Sequence, residues 1–184
     1  GRAKETLFSI LGSGQFVDCD GISILDEAVV LDICAGTGAL GFEALSRGAD
    51  HVTFLDSNRE HLRFIHQNAL RFEVEALTRF WHADAIALGS ATKKYNLVFI
   101  DPPYHQDITS EIMSSLANDG WLADNALVIT ELPLRHKLEE VEQYKKVYLR
   151  SNGRTAWHFW RYRVEIENNL AKAESSGQKQ HALV

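Results

Sequence analysis

Short apolar runs recur along the chain, several of them rich in valine and isoleucine, with helix-like segments between them. The runs lie at 28–34, 51–56, 76–82, 95–101 and 126–132. Continuous apolar runs of this length are typical of strands buried on both faces of a parallel sheet. Helical spacing of apolar residues is found at 2–11, 39–48, 58–72, 107–118 and about 134–142. The alternation predicts a doubly wound α/β sheet with right-handed crossovers.

The end of the chain has a different pattern. Two strand-like runs, 144–150 and 155–165, are separated by the sequence SNGR, and Asn-Gly between two such runs is a strong hairpin signal. We therefore predict a C-terminal antiparallel hairpin that completes a mostly parallel sheet, in a single domain over 1–166. Residues 167–184 are polar and are expected to form a flexible tail.

Composition narrows the class of protein. The 184 residues, of which 45% are hydrophobic, are enough for one domain with a core of ordinary size. The sequence contains no apolar run of about eighteen residues and no signal-peptide pattern, so neither a membrane span nor secretion is expected. Of the two cysteines, Cys34 lies in an apolar run and is expected to be a reduced core residue. A cytoplasmic protein fits these features.

Charge is unevenly distributed. The net charge of −6 argues weakly against a nucleic-acid partner, because phosphate contacts dominate such binding. Residues 143–164, however, contain six Lys or Arg and no acid, which indicates either a binding face or a solvated pair of strands. The eight histidines show no metal-ligand spacing: His61 and His66 are five residues apart, not three or four, and no metal is predicted.

A glycine loop, GTGALG at 36–41, lies between a predicted strand and a predicted helix. Gly36 and Gly38 permit a tight turn and a close approach of a ligand to the backbone. Asp56 ends the next strand, twenty residues after Gly36, where a carboxylate can accept both hydroxyls of a ribose. The alternative for Asp56 is a turn or N-cap acid before the helix that follows.

Asp32, four residues before Gly36, indicates which adenosine cofactor the loop binds. A carboxylate there would repel the pyrophosphate of a dinucleotide, at a cost of roughly 1 kcal/mol or more. S-adenosylmethionine (SAM) has an ammonium and a sulfonium instead, which an acid attracts. SAM is therefore the predicted cofactor, and the alternative for Asp32 is a helix or turn cap.

Asp84 follows the third strand, and ligands of open sheets lie at the carboxyl ends of the strands. It can accept a hydrogen bond from the adenine amino group, with Ala85 packed against the adenine edge, or it can cap a helix. The full set of predicted cofactor contacts is Asp32, Ala35, Gly36, Thr37, Gly38, Asp56, Ser57, Asp84 and Ala85.

The sequence DPPY at 101–104 follows the fourth strand and gives the predicted catalytic residues. Asp101 and the carbonyl of Pro102 are two acceptors held in set directions, because Pro102 and Pro103 have fixed φ angles and no N–H. Hydrogen bonds from an exocyclic amine to these acceptors localise its lone pair for in-line attack on the SAM methyl group. Tyr104 supplies a flat face for stacking a base. The alternative is a proline-capped strand end with a buried tyrosine.

With these motifs in this order, the chain resembles the class I SAM-dependent methyltransferases. More narrowly, the sequences RAKETLFSIL, VLDICAGTGALG, LVFIDPPY and NGRTAWHFWRY are similar to the RsmD family, which methylates the N2 of a guanine in 16S ribosomal RNA. The resemblance spans roughly residues 2–165. It implies a Rossmann-like sheet of seven strands with the last one antiparallel.

The resemblance also implies roles for the candidate residues. Asp32, Gly36 and Gly38 would hold the methionine part of the cofactor, Asp56 its ribose and Asp84 its adenine, while Asp101, Pro102 and Tyr104 would hold the target base. It implies 16S rRNA or a 30S assembly intermediate as partner, and we expect a monomer.

Family members usually carry a short basic β-segment before the first helix. We expect RNA to be held either by such a segment or by Arg2, Lys4 and the basic stretch 145–163.

Three alternatives remain at this point. The D/N-P-P-Y/F tetrapeptide is shared with DNA adenine-N6 and protein glutamine methyltransferases, so the tetrapeptide alone does not name the substrate. An NAD-dependent oxidoreductase is opposed by Asp32. A non-catalytic module that binds SAM or RNA is opposed by the intact Asp101 and Tyr104.

Overall fold

The computed structural model describes residues 2–18, 20–103, 108–136, 138 and 141–163. Four α-helices are found in this part of the chain, besides a 3₁₀ turn at Glu75–Leu77: α1 (Arg2–Leu11), α2 (Ala39–Ser46), α3 (Arg59–Arg71) and α4 (Thr109–Asn118). Seven strands form one sheet: β1 (Val29–Ile33), β2 (His51–Asp56), β3 (Thr78–His82), β4 (Tyr95–Ile100), β5 (Leu122–Pro133), β6 (Tyr144–Asn152) and β7 (Thr155–Tyr162). The predicted boundary at 166 and the predicted tail 167–184 lie outside the described residues.

The strand order is β3-β2-β1-β4-β5-β7-β6. Strands β1 to β5 are parallel, whereas β7 is antiparallel to both of its neighbours, β5 and β6. The predicted doubly wound, mostly parallel seven-stranded sheet with a C-terminal hairpin is therefore confirmed. The chain moves outward from β1 in one direction to β2 and in the other to β4. The crevice between β1 and β4 is thus the switch point at which such sheets bind ligands.

Each face of the sheet has its own core. Val30 packs with α1, α2 and α3 on one face, and its neighbour Leu31 packs with α4 on the other. Because both faces of β1 and β4 are covered, their apolar runs are continuous and do not alternate with polar residues. Ion pairs add little to this packing, since the Lys and Arg pairs found in the described residues join partly or fully exposed side chains.

The segment after β5 differs from the prediction. A helix was expected at about 134–142, but the described residues of that range form turns and irregular backbone. The N–H of Leu134 donates to the carbonyl of Arg154 at 2.9 Å, and the N–H of His136 donates to that of Pro133 at 2.8 Å. The chain is thus bound to the hairpin as it leaves the sheet, and it turns there. In the described part of the chain, no helix is long and apolar enough to cross a membrane.

His158 on β7 is a buried polar residue with an unusual environment. It is 6% exposed and stacks on Trp160 with ring centroids 6.0 Å apart, and neither of its ring nitrogens has a hydrogen-bond partner among the described residues. Burial, and then the charge of Lys146, lower its pKa to about 4. The imidazole is therefore neutral in the folded protein at pH values where an unfolded histidine takes up a proton.

The variant His158→Phe is expected to be more stable than the wild type by about 1 kcal/mol at pH 7.5, because it keeps the ring stack and removes two unsatisfied nitrogens. The gain should increase below pH 6.5, since the folded pKa is lowered and the wild type loses stability as the pH falls towards 4. Urea unfolding at pH 7.5 and 5.5 measures both effects. His158→Asn, which keeps polar atoms, should show no gain. A destabilised Phe variant at both pH values would contradict the prediction.

Candidate active site

The carboxyl ends of β1, β2 and β4 surround a cavity of about 460 Å³. This volume is within the usual range for small-molecule sites. Most of the predicted site residues line it: Asp32, Ala35, Gly36, Thr37, Asp56, Ser57, Asp84, Ala85, Asp101, Pro102 and Pro103. Gly38 is not among the lining residues, and Tyr104 lies outside the described residues. The fold therefore brings the two predicted groups, cofactor and catalytic, to one cavity.

The glycine loop has the backbone conformations that its sequence predicts. Gly36 and Gly38 have φ angles of 55° and 75°, and Gly38 is the N-cap residue of α2. A side chain at Gly38 would also press on Phe42 and Ile65 at 3.0–3.1 Å. The contribution of Gly38 is thus to let the N-terminus of α2 lie close to α3. The loop that it supports contacts the cavity through Ala35, Gly36 and Thr37.

Asp56 is fixed by two backbone donors. Its Oδ2 accepts from the N–H of Gly36 at 2.9 Å, and its Oδ1 accepts from the N–H of Asn58 at 2.8 Å. The alternative that Asp56 is the N-cap of α3 is wrong, because Asn58 is the N-cap and accepts from the N–H of Glu60. The alternative that it stabilises a turn is confirmed by its bond to the N–H of Asn58. The carboxylate therefore links the glycine loop to the end of β2, and it lines the cavity.

His61 was missed by the sequence argument. Its Nδ1 lies 3.1 Å from Oδ2 of Asp56, and it lines the same cavity from the first turn of α3. The signal available in the sequence was its place in the first turn of the predicted helix 58–72, five residues after Asp56. His61 can hold the orientation of the Asp56 carboxylate.

Asp32 is 1% exposed, and its Oδ2 accepts from the N–H of Gly41 at 3.0 Å in the first turn of α2. It thus caps the helix, as the alternative held, and it also lines the cavity in which the cofactor is predicted to bind. Burial raises its pKa to about 8, partly offset by the Gly41 N–H and reinforced by the charges of Asp101 and Asp56.

Burial favours the neutral form of Asp32 at neutral pH, whereas the prediction of its role assumed a charged carboxylate. Repulsion of a pyrophosphate by Asp32 is correspondingly weaker than supposed. A cationic ligand, by contrast, lowers the pKa of a nearby acid and is attracted to the ionised form that it stabilises. The preference for a cation therefore depends on Asp32 losing its proton when the ligand binds.

Asp84 is exposed, and its Oδ1 accepts from the N–H of Ile86 at 3.2 Å. No helix follows it, so the alternative of a helix N-cap is wrong and Asp84 stabilises a turn. The turn presents the buried methyl group of Ala85 to the cavity. Within the described chain, no group of three or more His, Cys, Asp or Glu side chains is placed to hold a metal ion.

Asp101 is half-buried at the end of β4, and its N–H donates to the carbonyl of Ile33 on β1 at 3.4 Å. Burial, and then the charge of Glu131, raise the pKa of its carboxyl to about 6. The group is ionised at neutral pH and can accept both hydrogen bonds and, close to its pKa, a proton. The adjoining Pro102 is buried and Pro103 is exposed, and both line the cavity.

The basic stretch is only partly available to a partner. Arg161 donates to the carbonyls of Asn125 and Val17 at 2.8 and 2.9 Å, so it connects loops of the protein itself. Lys4 forms a 2.7 Å ion pair with Glu43. The exposed cations of the stretch are Lys145, Lys146, Arg150, Arg154 and Arg163.

Comparison with known proteins identifies a family and methyltransferase relatives. A family model with the description conserved hypothetical protein 95 matches residues 1–161. The ribosomal RNA small subunit methyltransferase D of Escherichia coli strain K12 is 32% identical over 141 residues, which are 76% of this chain and 66% of that protein. The chain thus spans slightly less than two thirds of the length of this relative.

Solved structures share the fold. The chain matches a putative methyltransferase, YhhF from Escherichia coli, with a TM-score of 0.78 and 28% identity over 89% of this chain and 86% of that one. An RNA methyltransferase from Salinibacter ruber, solved with S-adenosyl-L-homocysteine, matches with a TM-score of 0.66 and 12% identity over 90% of this chain and 93% of that one. The latter likeness is one of fold alone.

Proposed function

The chain belongs to the conserved hypothetical protein 95 family, and on that premise we propose that it transfers a methyl group from SAM to the exocyclic N2 amine of a guanine in 16S ribosomal RNA. The observation on which the proposal rests is that Asp101, with its two prolines, lines the same cavity as the glycine loop and Asp56. A cofactor held by the loop and an amine held by Asp101 would therefore meet in one crevice.

The cofactor is S-adenosylmethionine, which supplies an electrophilic methyl group on a sulfonium. The chain provides the parts of a site for it. Asp56, already positioned by two backbone N–H groups, accepts from the ribose hydroxyls, and Asp84 with Ala85 lies where the adenine is expected. Asp32 supplies the negative charge for the cationic end. These assignments give each polar end of the cofactor a partner of matching chemistry.

Asp101 and the carbonyl of Pro102 act on the amine. When these two oxygens accept hydrogen bonds from the two N–H groups of the amine, the nitrogen is favoured in a pyramidal form. Its lone pair is then localised and points at the methyl group. The nitrogen would take the methyl group from the sulfonium, which would leave as neutral S-adenosylhomocysteine, and the proton that the methylated nitrogen releases would pass to the Asp101 carboxylate. A pKa of about 6 suits this acceptor at neutral pH. The rate enhancement comes mainly from positioning and electrostatics.

The experiment that tests this function uses methyl-labelled SAM and four acceptors: unmodified 30S particles, naked 16S rRNA, duplex DNA and a protein extract. Digestion and nucleoside analysis should identify N2-methylguanosine in a ribosomal sample. Label found only in DNA or protein would contradict the proposed ribosomal substrate but would agree with methyl transfer to an amine or amide. A protein that binds SAM and labels none of the four would contradict the proposed activity.

A further inference from the structure

A second carboxylate, that of Glu131, lies beside Asp101 near the carboxyl ends of β4 and β5. Strands β4 and β5 are parallel with Ile100 opposite Thr130, so Asp101 and Glu131 are the next pair along. The residues two positions earlier, Phe99 and Ile129, pack in the same core, and side chains alternate along a strand. Asp101 and Glu131 therefore lie on one face of neighbouring strands, about 4.8 Å apart in backbone spacing.

Glu131 is held in place. It is half-buried, and its Oε1 accepts from the hydroxyl of Thr155 on β7 at 2.7 Å. The charge of Glu131 adds to the effect of burial in raising the pKa of Asp101, as expected of two acids on one face of neighbouring strands. Among the described residues, neither acid has a Lys or Arg within ion-pair distance. Asp101 lines the cavity, and with Glu131 beside it the two acids can accept hydrogen bonds from a ligand that has two adjacent donors.

A guanine has two such donors. Its N1–H is next to its N2 amine, so a carboxylate beside the one that binds the amine can accept from N1–H. Adenine has an unprotonated N1 beside its amine, and a glutamine side chain has a carbonyl oxygen beside its amide nitrogen. Both would place an acceptor against a carboxylate, which is unfavourable. Glu131 thus matches guanine and opposes the two other amine substrates.

We propose that Glu131 accepts the N1–H of the target guanine and determines the choice of guanine over other amine substrates. This inference rests on the proposed function. Thr155 fixes the carboxylate in its position, while Asp101 remains the group that contacts the reacting amine. The specificity is then encoded by the register between β4 and β5.

The test uses Glu131→Gln and an acceptor RNA in which the methylated guanine, located by the labelling experiment, is replaced with 2-aminopurine. This base keeps the N2 amine and has no N1–H. The wild type is expected to prefer guanine to 2-aminopurine in kcat/KM by about 10- to 100-fold. In the Gln variant, whose amide can donate to an unprotonated N1, this preference should fall to within about threefold.

A pH profile supplies a readout that a merely structural role would not change. Removing the Glu131 charge should lower the pKa of Asp101, so the acid limb of the rate profile should move to lower pH. Asp124→Asn is the matched control, because it makes the same change in net charge as Glu131→Gln at an exposed acid near the other end of β5. It should alter neither the base preference nor the pH profile.

The outcomes separate the two proposals. A wild type that methylates no guanine N2 would overturn the proposed function. A wild type that does so, together with a Gln variant that keeps the full preference for guanine over 2-aminopurine, would overturn the role of Glu131 alone. A Gln variant that is inactive on both bases while it retains SAM affinity and thermal stability would also overturn it, because a specificity residue should leave 2-aminopurine as a substrate.

Discussion

Replacing Asp101 with asparagine is expected to lower the rate constant of methyl transfer by about 10²- to 10³-fold, the usual cost of losing one preorganised electrostatic partner. Asparagine has nearly the same shape, but its carbonyl is neutral, its NH₂ opposes the N–H bonds of the substrate, and it cannot take the proton that the product releases. The dissociation constant for SAM should remain within about threefold, because Asp56 and the glycine loop are unchanged.

Single-turnover transfer of labelled methyl groups measures the chemical step, and calorimetry measures SAM binding. Wild-type activity should fall as the pH is lowered through about 6, where Asp101 becomes protonated, and the variant should lack this limb. Asp119→Asn, which alters an acid bonded to Ser115 away from the cavity, is the matched control. Unchanged single-turnover rates in Asp101→Asn would remove this residue from the chemistry.

The second large effect concerns Asp32, where asparagine should weaken cofactor binding and strengthen the fold. The folded pKa of Asp32, about 8, is above its value of 3.8 in an unfolded chain. The contribution of this group to stability is therefore complete below pH 3.8 and is lost as the pH rises through 8. Asparagine can still accept from the N–H of Gly41 and carries no charge to bury. It should raise the free energy of unfolding by a few kcal/mol at pH 8.5 and change it little at pH 4.

The same substitution removes the anion that the cationic end of SAM requires. We expect the dissociation constant for SAM to rise by at least about tenfold, which is a loss of roughly 1.4 kcal/mol of binding free energy. In the wild type, binding at pH 7 should release a proton from Asp32, which calorimetry in buffers of different ionisation enthalpy detects. Asp50→Asn, in an exposed loop, should show neither effect. Equal stability curves for wild type and Asp32→Asn would mean that Asp32 is not buried as a neutral acid.

The parts of the site that the sequence could predict are those determined by local chain geometry. Gly36 and Gly38 predict a turn with positive φ. Asp56 and Asp101 lie at the ends of apolar runs, and the carboxyl ends of parallel strands meet on one side of the sheet. The continuous runs also predicted the buried sheet, because burial on both faces removes the polar alternation that marks an exposed strand.

What could not be predicted depends on contacts between distant segments. Glu131 becomes a neighbour of Asp101 only through the register of β4 and β5, and nothing near either residue in the chain specifies that register. The helix expected at about 134–142 failed for a related reason: Leu134 is bonded to Arg154, a partner twenty residues away. The neutral state of Asp32 likewise follows from complete burial, which a sequence pattern does not quantify.

The position of β7 also has a consequence for biosynthesis. This strand is the last of the seven to leave the ribosome, yet it lies between β5 and β6, which are made earlier. Until residues 155–162 emerge, the apolar strand β5 has an unpaired edge, and β6 has no place on the sheet. An exposed edge of this kind can pair with other chains. Slow synthesis or premature termination before Thr155 should therefore favour aggregation of the nascent protein, whereas the finished hairpin closes the sheet in one step.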